Sequence, residues 1–306
     1  MWVCGIIRIV GGDSLKFDFI VKEQAYAKIN LYLDVVSKRT DGFHDIKSIM
    51  QSVSLCDLID VEITEKNEDI LTCNIGDIPL DGKNIAIKAA DAFRKAVGLD
   101  FGTRIHIEKN IPFIAGLGGG SSDGAAVIRA LNYLTESKLS EEKMIEIAAS
   151  VGSDVPFCLF GGTSLCEGRG ELIKKLPNVK EFDCVIAIKG EGVSTPWAFS
   201  EIDKKYGDFS GERDLGKLFD LEKAIFSGIK DDVKNGLFNI FEEFVEEERE
   251  EIKSLKDIMK KADATAVMMS GSGPSVFGLF DDEIGARNAV ELLKAYGAKA
   301  YYCKTI

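Results

Sequence analysis

Paired cysteines are missing from this chain. Its seven cysteines, Cys4, Cys56, Cys73, Cys158, Cys166, Cys184 and Cys303, stand singly, and no C-x-x-C occurs. That spacing argues against a zinc site and a disulfide framework, and it fits a reducing, cytoplasmic setting with the thiols as small buried apolar groups. Clusters of lysine and arginine are missing too: 50 Asp and Glu outweigh 38 Lys and Arg, for a formal net charge of −12. Such a balance disfavours nucleic acid or an anionic membrane as partner. It does not exclude an anionic small molecule, because a local nest of N–H groups holds phosphate inside a negative protein. No apolar run approaches a membrane span. The short run Trp2 to Ile7 is broken by Arg8 and lacks a basic flank, so it does not read as a signal peptide. Histidine is scarce, with only His44 and His106. His106 lies between Ile105 and Ile107 on an alternating segment and is expected to face outward without a specific role. No internal repeat or low-complexity tract appears.

What is present is an ordinary globular balance, 45% hydrophobic and 29% charged over 306 residues, enough for two domains or one large one with a real core. The most informative stretch runs Ile111-Pro112-Phe113-Ile114-Ala115-Gly116-Leu117-Gly118-Gly119-Gly120-Ser121-Ser122-Asp123. Beyond it Ala125, Ile128, Leu131 and Leu134 recur every third residue, so the pattern reads as a glycine-rich loop opening a helix over 122–134. Such a junction points free N–H groups and the positive end of the helix dipole at one spot, which suits a phosphate. No Gly-Lys-Ser/Thr closes the loop, so it is not a P-loop. A tight strand-to-helix turn without a ligand is the plain alternative.

Before the loop, residues 16–36 read as one or two strands. From Ala27 the alternation places Ala27, Ile29, Leu31, Leu33 and Val35 on one face and Lys28, Asn30, Tyr32 and Asp34 on the other. Lys28 and Asn30 then point the same way, about 7 Å apart. Arg39 to Gly42 signals a turn. Strands are expected at 46–64, 70–75 and 103–109, and a helix over 84–97. After the loop come a helix at 140–151, a short one begun by Asp154-Val155-Pro156, and strands at 163–167 and 183–189. Helices follow near 214–227, 230–245 and 248–262. Strand 264–269, the turn Ser270-Gly271-Ser272-Gly273-Pro274, strand 275–280, helix 282–296 and strand 299–304 complete the chain. Strands and helices without strict alternation indicate α+β in two lobes. The acidic run Glu242 to Glu251 reads as a solvated helix face.

Three motifs in this order, Ala27-Lys28-Ile29-Asn30-Leu31, Gly116 to Ser122 and Ser270 to Pro274, resemble the GHMP kinase superfamily. Arg39-x-Asp41-Gly42-Phe43-His44, Gly152 to Phe157, and Gly192 to Thr195 ahead of Phe199 carry a closer likeness. They resemble the branch that phosphorylates an alcohol on a cytidine-diphosphate-linked substrate. The resemblance implies a two-domain α+β architecture, a ribosomal S5 domain-2-like N-terminal domain and a ferredoxin-like C-terminal domain. It implies an extension over 1–18, an ATP-side domain over 19–180 and a substrate-side domain over 181–306.

It further implies ATP as phosphoryl donor. Pro112, Gly116, Leu117, Gly118, Gly119, Gly120, Ser121 and Ser122 would hold the nucleotide, with both serines adding hydroxyls. Lys28 and Asp154 would be the catalytic pair, against plainer readings as an exposed strand lysine and a helix N-cap. Asn30, Phe43, His44, Phe199, Gly271, Ser272 and Gly273 would meet the small-molecule substrate. There His44 would read the cytosine edge and the two phenylalanines would sandwich the ring. Each Phe has core packing as its alternative, and the second glycine turn has a plain connection. The family often carries Tyr at both aromatic positions; Phe keeps the stacking face and loses the hydroxyl. Mg²⁺ is expected from ATP chemistry, with no protein ligand assigned to it. Homoserine or mevalonate kinase, or a silent nucleotide-binding paralogue, are the competing readings.

Overall fold

The computed structural model describes residues 20–66, 68–207, 209 and 213–306. The expected extension over 1–18 lies outside them, as does the start of the strand expected from residue 16. The chain divides into two compact units, each discontinuous in sequence. Unit 1 takes in the described residues of Met1–Ala27, Cys56–Phe113 and Gly118–Phe160; unit 2 takes in Lys28–Leu55, Ile114–Leu117 and Gly161–Ile306.

Strands β1 (Ile20–Lys38) and β2 (His44–Thr64) each supply residues to both units. Their connection is the expected turn, in which Asp41 accepts from the Phe43 N–H at 3.1 Å. Unit 1 continues with β3 (Asp69–Cys73), α1 (Ile85–Val97), β4 (Gly102–Glu108), α2 (Gly119–Leu134), α3 (Glu141–Val151) and α4 (Val155–Phe160). There β4 lies antiparallel to Leu58–Thr64 of β2 and parallel to β3. Helix α1 starts where the Asn84 side chain accepts from Ala86 N, and α3 where Ser140 accepts from Lys143 N; each satisfies an orphan N–H of the first turn. Helix α2 begins three residues ahead of the expected 122, inside the glycine loop. It carries no single apolar stripe: from Ser122 to Leu131 every residue but Arg129 is buried. Helices α1, α3 and α4 all pack on it, and a Cβ at Gly124 would come within 2.7 Å of Ile85.

Unit 2 contains β5 (Thr163–Glu167), β6 (Leu172–Lys175), β7 (Asp183–Ile188), α5 (Thr195–Tyr206), α6 (Gly216–Ser227), α7 (Lys230–Asn235) and β8 (Phe238–Asn239). Then come α8 (Glu242–Glu248), α9 (Glu250–Lys261), β9 (Ala266–Met269), β10 (Val276–Phe280), α10 (Glu283–Ala295) and β11 (Lys299–Lys304). Ser48–Gln51 of β2 pair with β5, β5 pairs with β6, and Tyr32–Leu33 of β1 run parallel to β8. A second, wholly antiparallel sheet has the order β11-β7-β10-β9. Numbered within their own β-α-β-β-α-β run, those strands lie 4-1-3-2, the ferredoxin-like arrangement. Its centre is apolar on both faces: Cys184 to Ala187 and Val276 to Phe280 are all buried, under α9 and α10.

One expectation changes. The helix expected at 230–245 is broken at Gly236, which packs so closely on Leu221 that a Cβ would lie 2.8 Å from it, and Phe238–Asn239 join β1 instead. Helix α5 and strand β6 were not anticipated. The described cysteines behave as small core groups: Cys158, Cys166, Cys184 and Cys303 are buried, Cys56 and Cys73 half-buried, and these six are free thiols; Cys4 lies outside the described residues.

Candidate active site

In unit 2 the polar face of β1 is buried. Lys28 is only 5% exposed, which rules out the surface-lysine reading. Its Nζ donates to Asn30 Oδ1 at 2.8 Å, so the two do share a strand face. Asn30 Nδ2 donates to Ser48 Oγ (2.8 Å), and Ser48 passes its proton on to the Tyr32 carbonyl (2.7 Å). The result is a directed chain of donors that starts at Lys28 and ends at the Tyr32 carbonyl, which orients the amide of Asn30 without ambiguity. Ser48 joins the row from β2; a lone serine on the next strand leaves no periodic signal.

The two glycine turns meet within the same unit. Lys28 N donates to the Leu117 carbonyl at 2.9 Å, and Ser270 Oγ to the Gly116 carbonyl at 3.1 Å. A Cβ at Gly116 would stand 2.4 Å from the Ser270 carbonyl, with φ at +73°. A Cβ at Gly271 would meet Gly116 O at 3.1 Å. Both glycines are therefore required by loop-on-loop packing, before any ligand is considered. Asn239 clasps the second turn by donating to the Met269 and Gly271 carbonyls at 2.8 and 2.9 Å, and Ser272 Oγ lies 3.0 Å from Thr195 Oγ1. Nothing in the sequence around Asn239 announced that role.

Also in unit 2, His44 and Phe199 come together as a stacked pair, centroids 4.8 Å apart at 21°. Phe241 meets Phe199 edge-on at 5.0 Å. Phe43 is exposed, with the Arg169 guanidinium 5.2 Å from its centroid. His44 Nε2 lies 2.8 Å from Asp203 Oδ1, and Lys38 Nζ donates to Asp203 Oδ2 at 2.6 Å. Burial opposes ionisation of Asp203, but the hydrogen bonds from Lys38 and His44 outweigh it and hold the carboxyl below its ordinary range. Asp203 was not anticipated; its spacing of four from Phe199, on one face of a helix, was the available signal.

In unit 1, Gly118 is the N-cap of α2 in the left-handed region, φ +68°, without a side-chain cap, so the first N–H groups of the helix are left for something else. Gly119 and Ser121 are half-buried, as is Pro112, and Gly120 is exposed. Ser122 departs from the expectation that both serines offer hydroxyls: it is buried and donates to the Tyr26 carbonyl at 2.7 Å. The Ser121 hydroxyl makes no hydrogen bond to a described residue, and Ser121 is the serine able to donate outward. Beneath this turn sits an unanticipated ion triad. Lys109 Nζ donates to Asp57 and, at 2.8 Å, to Asp123, all three buried. Asp57 Oδ1 also accepts from Asn110 N (2.6 Å) and Ile111 N (2.7 Å), fixing the strand that enters the loop. A Cβ at Gly119 would come 2.9 Å from Lys109 Nζ. Burial pushes the Asp123 carboxyl up, to about 7, against the pull of Lys109 and with the charge of Asp57 adding to the rise. Asp154 is half-buried and immediately precedes α4; its carbonyl accepts from Cys158 N at 3.2 Å, the N-cap position. His106 is exposed, 2.9 Å from Thr72 Oγ1. Among the described residues no group of three His, Cys, Asp or Glu could hold a metal, and no helix is long and apolar enough to cross a membrane.

Comparison with known proteins gives a consistent picture. Residues 84–162 match the model of the GHMP kinases N terminal domain, and residues 221–299 that of the GHMP kinases C terminal. A 4-diphosphocytidyl-2-C-methyl-D-erythritol kinase of Caldicellulosiruptor bescii is 42% identical over 276 residues, 90% of this chain and 95% of that one. Among solved structures, a 4-(cytidine 5'-diphospho)-2C-methyl-D-erythritol kinase superposes with a TM-score of 0.76 at 31% identity, covering 93% of this chain and 98% of the other. A homoserine kinase from Cytophaga hutchinsonii superposes with a TM-score of 0.73 over 97% of each chain, but at 19% identity it shares the fold alone.

Proposed function

The chain belongs to the GHMP kinases, and from that premise we propose that it transfers the γ-phosphoryl of ATP to the 2-hydroxyl of 4-diphosphocytidyl-2-C-methyl-D-erythritol, a step of isoprenoid precursor synthesis. The observation that carries this reading is the 42% identity along 95% of a kinase named for that substrate. The buried Lys28–Asn30–Ser48 row and the His44–Phe199 stack support it at the level of residues.

Phosphoryl transfer needs charge neutralisation, alignment and a destination for the acceptor proton. In this reading the free N–H groups at the start of α2, with Ser121, hold the ATP phosphates. The acceptor oxygen attacks Pγ as the bond from Pγ to the β,γ-bridging oxygen breaks and ADP leaves. Asp154 takes or orients the hydroxyl proton, and Lys28, held by Asn30, offsets the negative charge. Phe43 and Phe199 give the cytosine its stacking faces, and His44 reads its edge. The turn Gly271-Ser272-Gly273 lines the substrate side. Mg²⁺ fits as a cation brought in with the nucleotide, held by phosphate oxygens, water and the Ser121 hydroxyl, and it would neutralise charge on the β- and γ-phosphates.

Steady-state kinetics of Lys28→Ala and Asp154→Asn test the assignment, with mevalonate and homoserine offered beside the cytidine substrate. Each variant is expected to lose roughly 10²- to 10⁴-fold in kcat. Wild-type kcat in both, or turnover of mevalonate or homoserine in preference, would overturn it.

A further inference from the structure

Asp203 is bonded on both oxygens, to Lys38 from the end of β1 and to His44 from the start of β2. A carboxylate only accepts hydrogen bonds, and Lys38 and His44 together keep this one ionised. The hydrogen of the 2.8 Å contact therefore sits on His44 Nε2. In a neutral imidazole that leaves Nδ1 with the lone pair. Lys38 occupies the second oxygen of the carboxylate, with its ammonium 2.6 Å away, and leaves the first to His44. Phe199, stacked at 4.8 Å, and Phe209, edge-on at 6.0 Å, restrict the plane of the imidazole. No described residue hydrogen-bonds to Nδ1.

An unprotonated Nδ1 accepts and cannot donate. Of the two common pyrimidines, cytosine carries an amino donor at position 4 and uracil a carbonyl acceptor in the same place. We infer that Asp203 is a specificity-determining positioning residue, which fixes the tautomer of His44 so that Nδ1 accepts from the 4-amino group of cytosine and repels the 4-carbonyl of uracil. The inference rests on the proposed role of His44 as base reader and adds the group that sets its chemistry. The same carboxylate ties α5 to both strands, so the test must separate tautomer control from simple support.

The experiment is direct binding of the cytidine diphosphate-linked substrate and its uridine counterpart to wild type, Asp203→Asn, Asp203→Ala and His44→Ala, together with ¹⁵N NMR of the histidine ring. Wild type is expected to prefer cytidine by roughly ten- to a hundred-fold, the scale of one hydrogen bond set against one unpaired acceptor. It is also expected to show the hydrogen on Nε2. Asp203→Asn is nearly isosteric, and its amide can present either oxygen or nitrogen to Nε2, so the preference should fall to a few-fold and the ring spectrum should show both tautomers. A purely structural Asp203 would weaken both ligands equally with the ratio kept, and that outcome overturns the inference. So does a wild-type ring carrying its hydrogen on Nδ1. If His44→Ala keeps the ratio, the base-reading role itself fails. If His44→Ala abolishes the ratio while Asp203→Asn and Asp203→Ala both keep it, only the role of Asp203 is lost.

Discussion

Asp123 buries one carboxylate oxygen, Oδ1, with no hydrogen-bond partner among the described residues, while Oδ2 accepts from Lys109. Burial raises its carboxyl from 3.8 to about 7, so the folded protein favours the protonated form. Stability from this group is present in full below the unfolded value near 4 and is lost as pH rises through about 7. Asp123→Asn keeps a carbonyl for Lys109 and cannot ionise. Thermal melts of both proteins from pH 5 to pH 8 should show the variant gaining on wild type as pH rises; parallel curves would remove the titration from this site. The family resemblance pointed to Lys28 and Asn30, and the two-residue repeat of a strand put them on one face, where they are found. Asp57, Lys109 and Asp123 lie 52 and 14 residues apart along the chain, and only the fold brings them together. No spacing rule could have paired them.

The start of α2 separates two uses of glycine. Gly116 is held by contact: its Cβ position is 2.4 Å from the Ser270 carbonyl at a φ of +73°. Gly120 has room, since a Cβ there would meet only Ile85, at 3.8 Å. Gly116→Ala should therefore cost about 1–3 kcal/mol of stability through strain and displacement of the second turn. Gly120→Ala should leave the melting temperature unchanged or slightly higher, by helix propensity, and still raise the KM for ATP if phosphate approaches the backbone there. Unchanged ATP affinity in Gly120→Ala would show that the loop's open glycine serves no ligand. Other elements were legible to different degrees. Asn84 and Ser140 announced their helices because capping is local chemistry. Helix α5 carries the same kind of announcement, Ser194 accepting from Trp197 N with Pro196 in the first turn, inside the stretch Gly192 to Phe199 that otherwise signals only the family. The two-residue strand Phe238–Asn239 is too short for any period, and its pairing with β1 comes from a segment some 200 residues earlier.

At the scale of the molecule, the three motifs were enough to indicate the family. Through the family they also implied the ferredoxin-like C-terminal sheet, whose 4-1-3-2 order no single stretch of chain states; the sharing of β1 and β2 between two units was not legible, because it depends on which distant strands pair. Net charge is the global property that sequence does give, and it has a consequence for kinetics. The chain carries a formal charge of −12, while both proposed substrates are polyanions. At low ionic strength the long-range field opposes their approach, and on the proposed reading only the N–H groups of the loop and the ammonium of Lys28 would reverse it, within the first few ångströms. Salt screens the long-range part, over a Debye length of about 10 Å at 0.1 M, far more than the short contacts at a buried site. Raising KCl from about 10 to 150 mM at saturating Mg²⁺ should therefore increase kcat/KM for the cytidine substrate, by roughly two-fold, with kcat unchanged. A steep fall over that range would mean that positive charge around the entrance, rather than the acidic total, governs encounter with substrate.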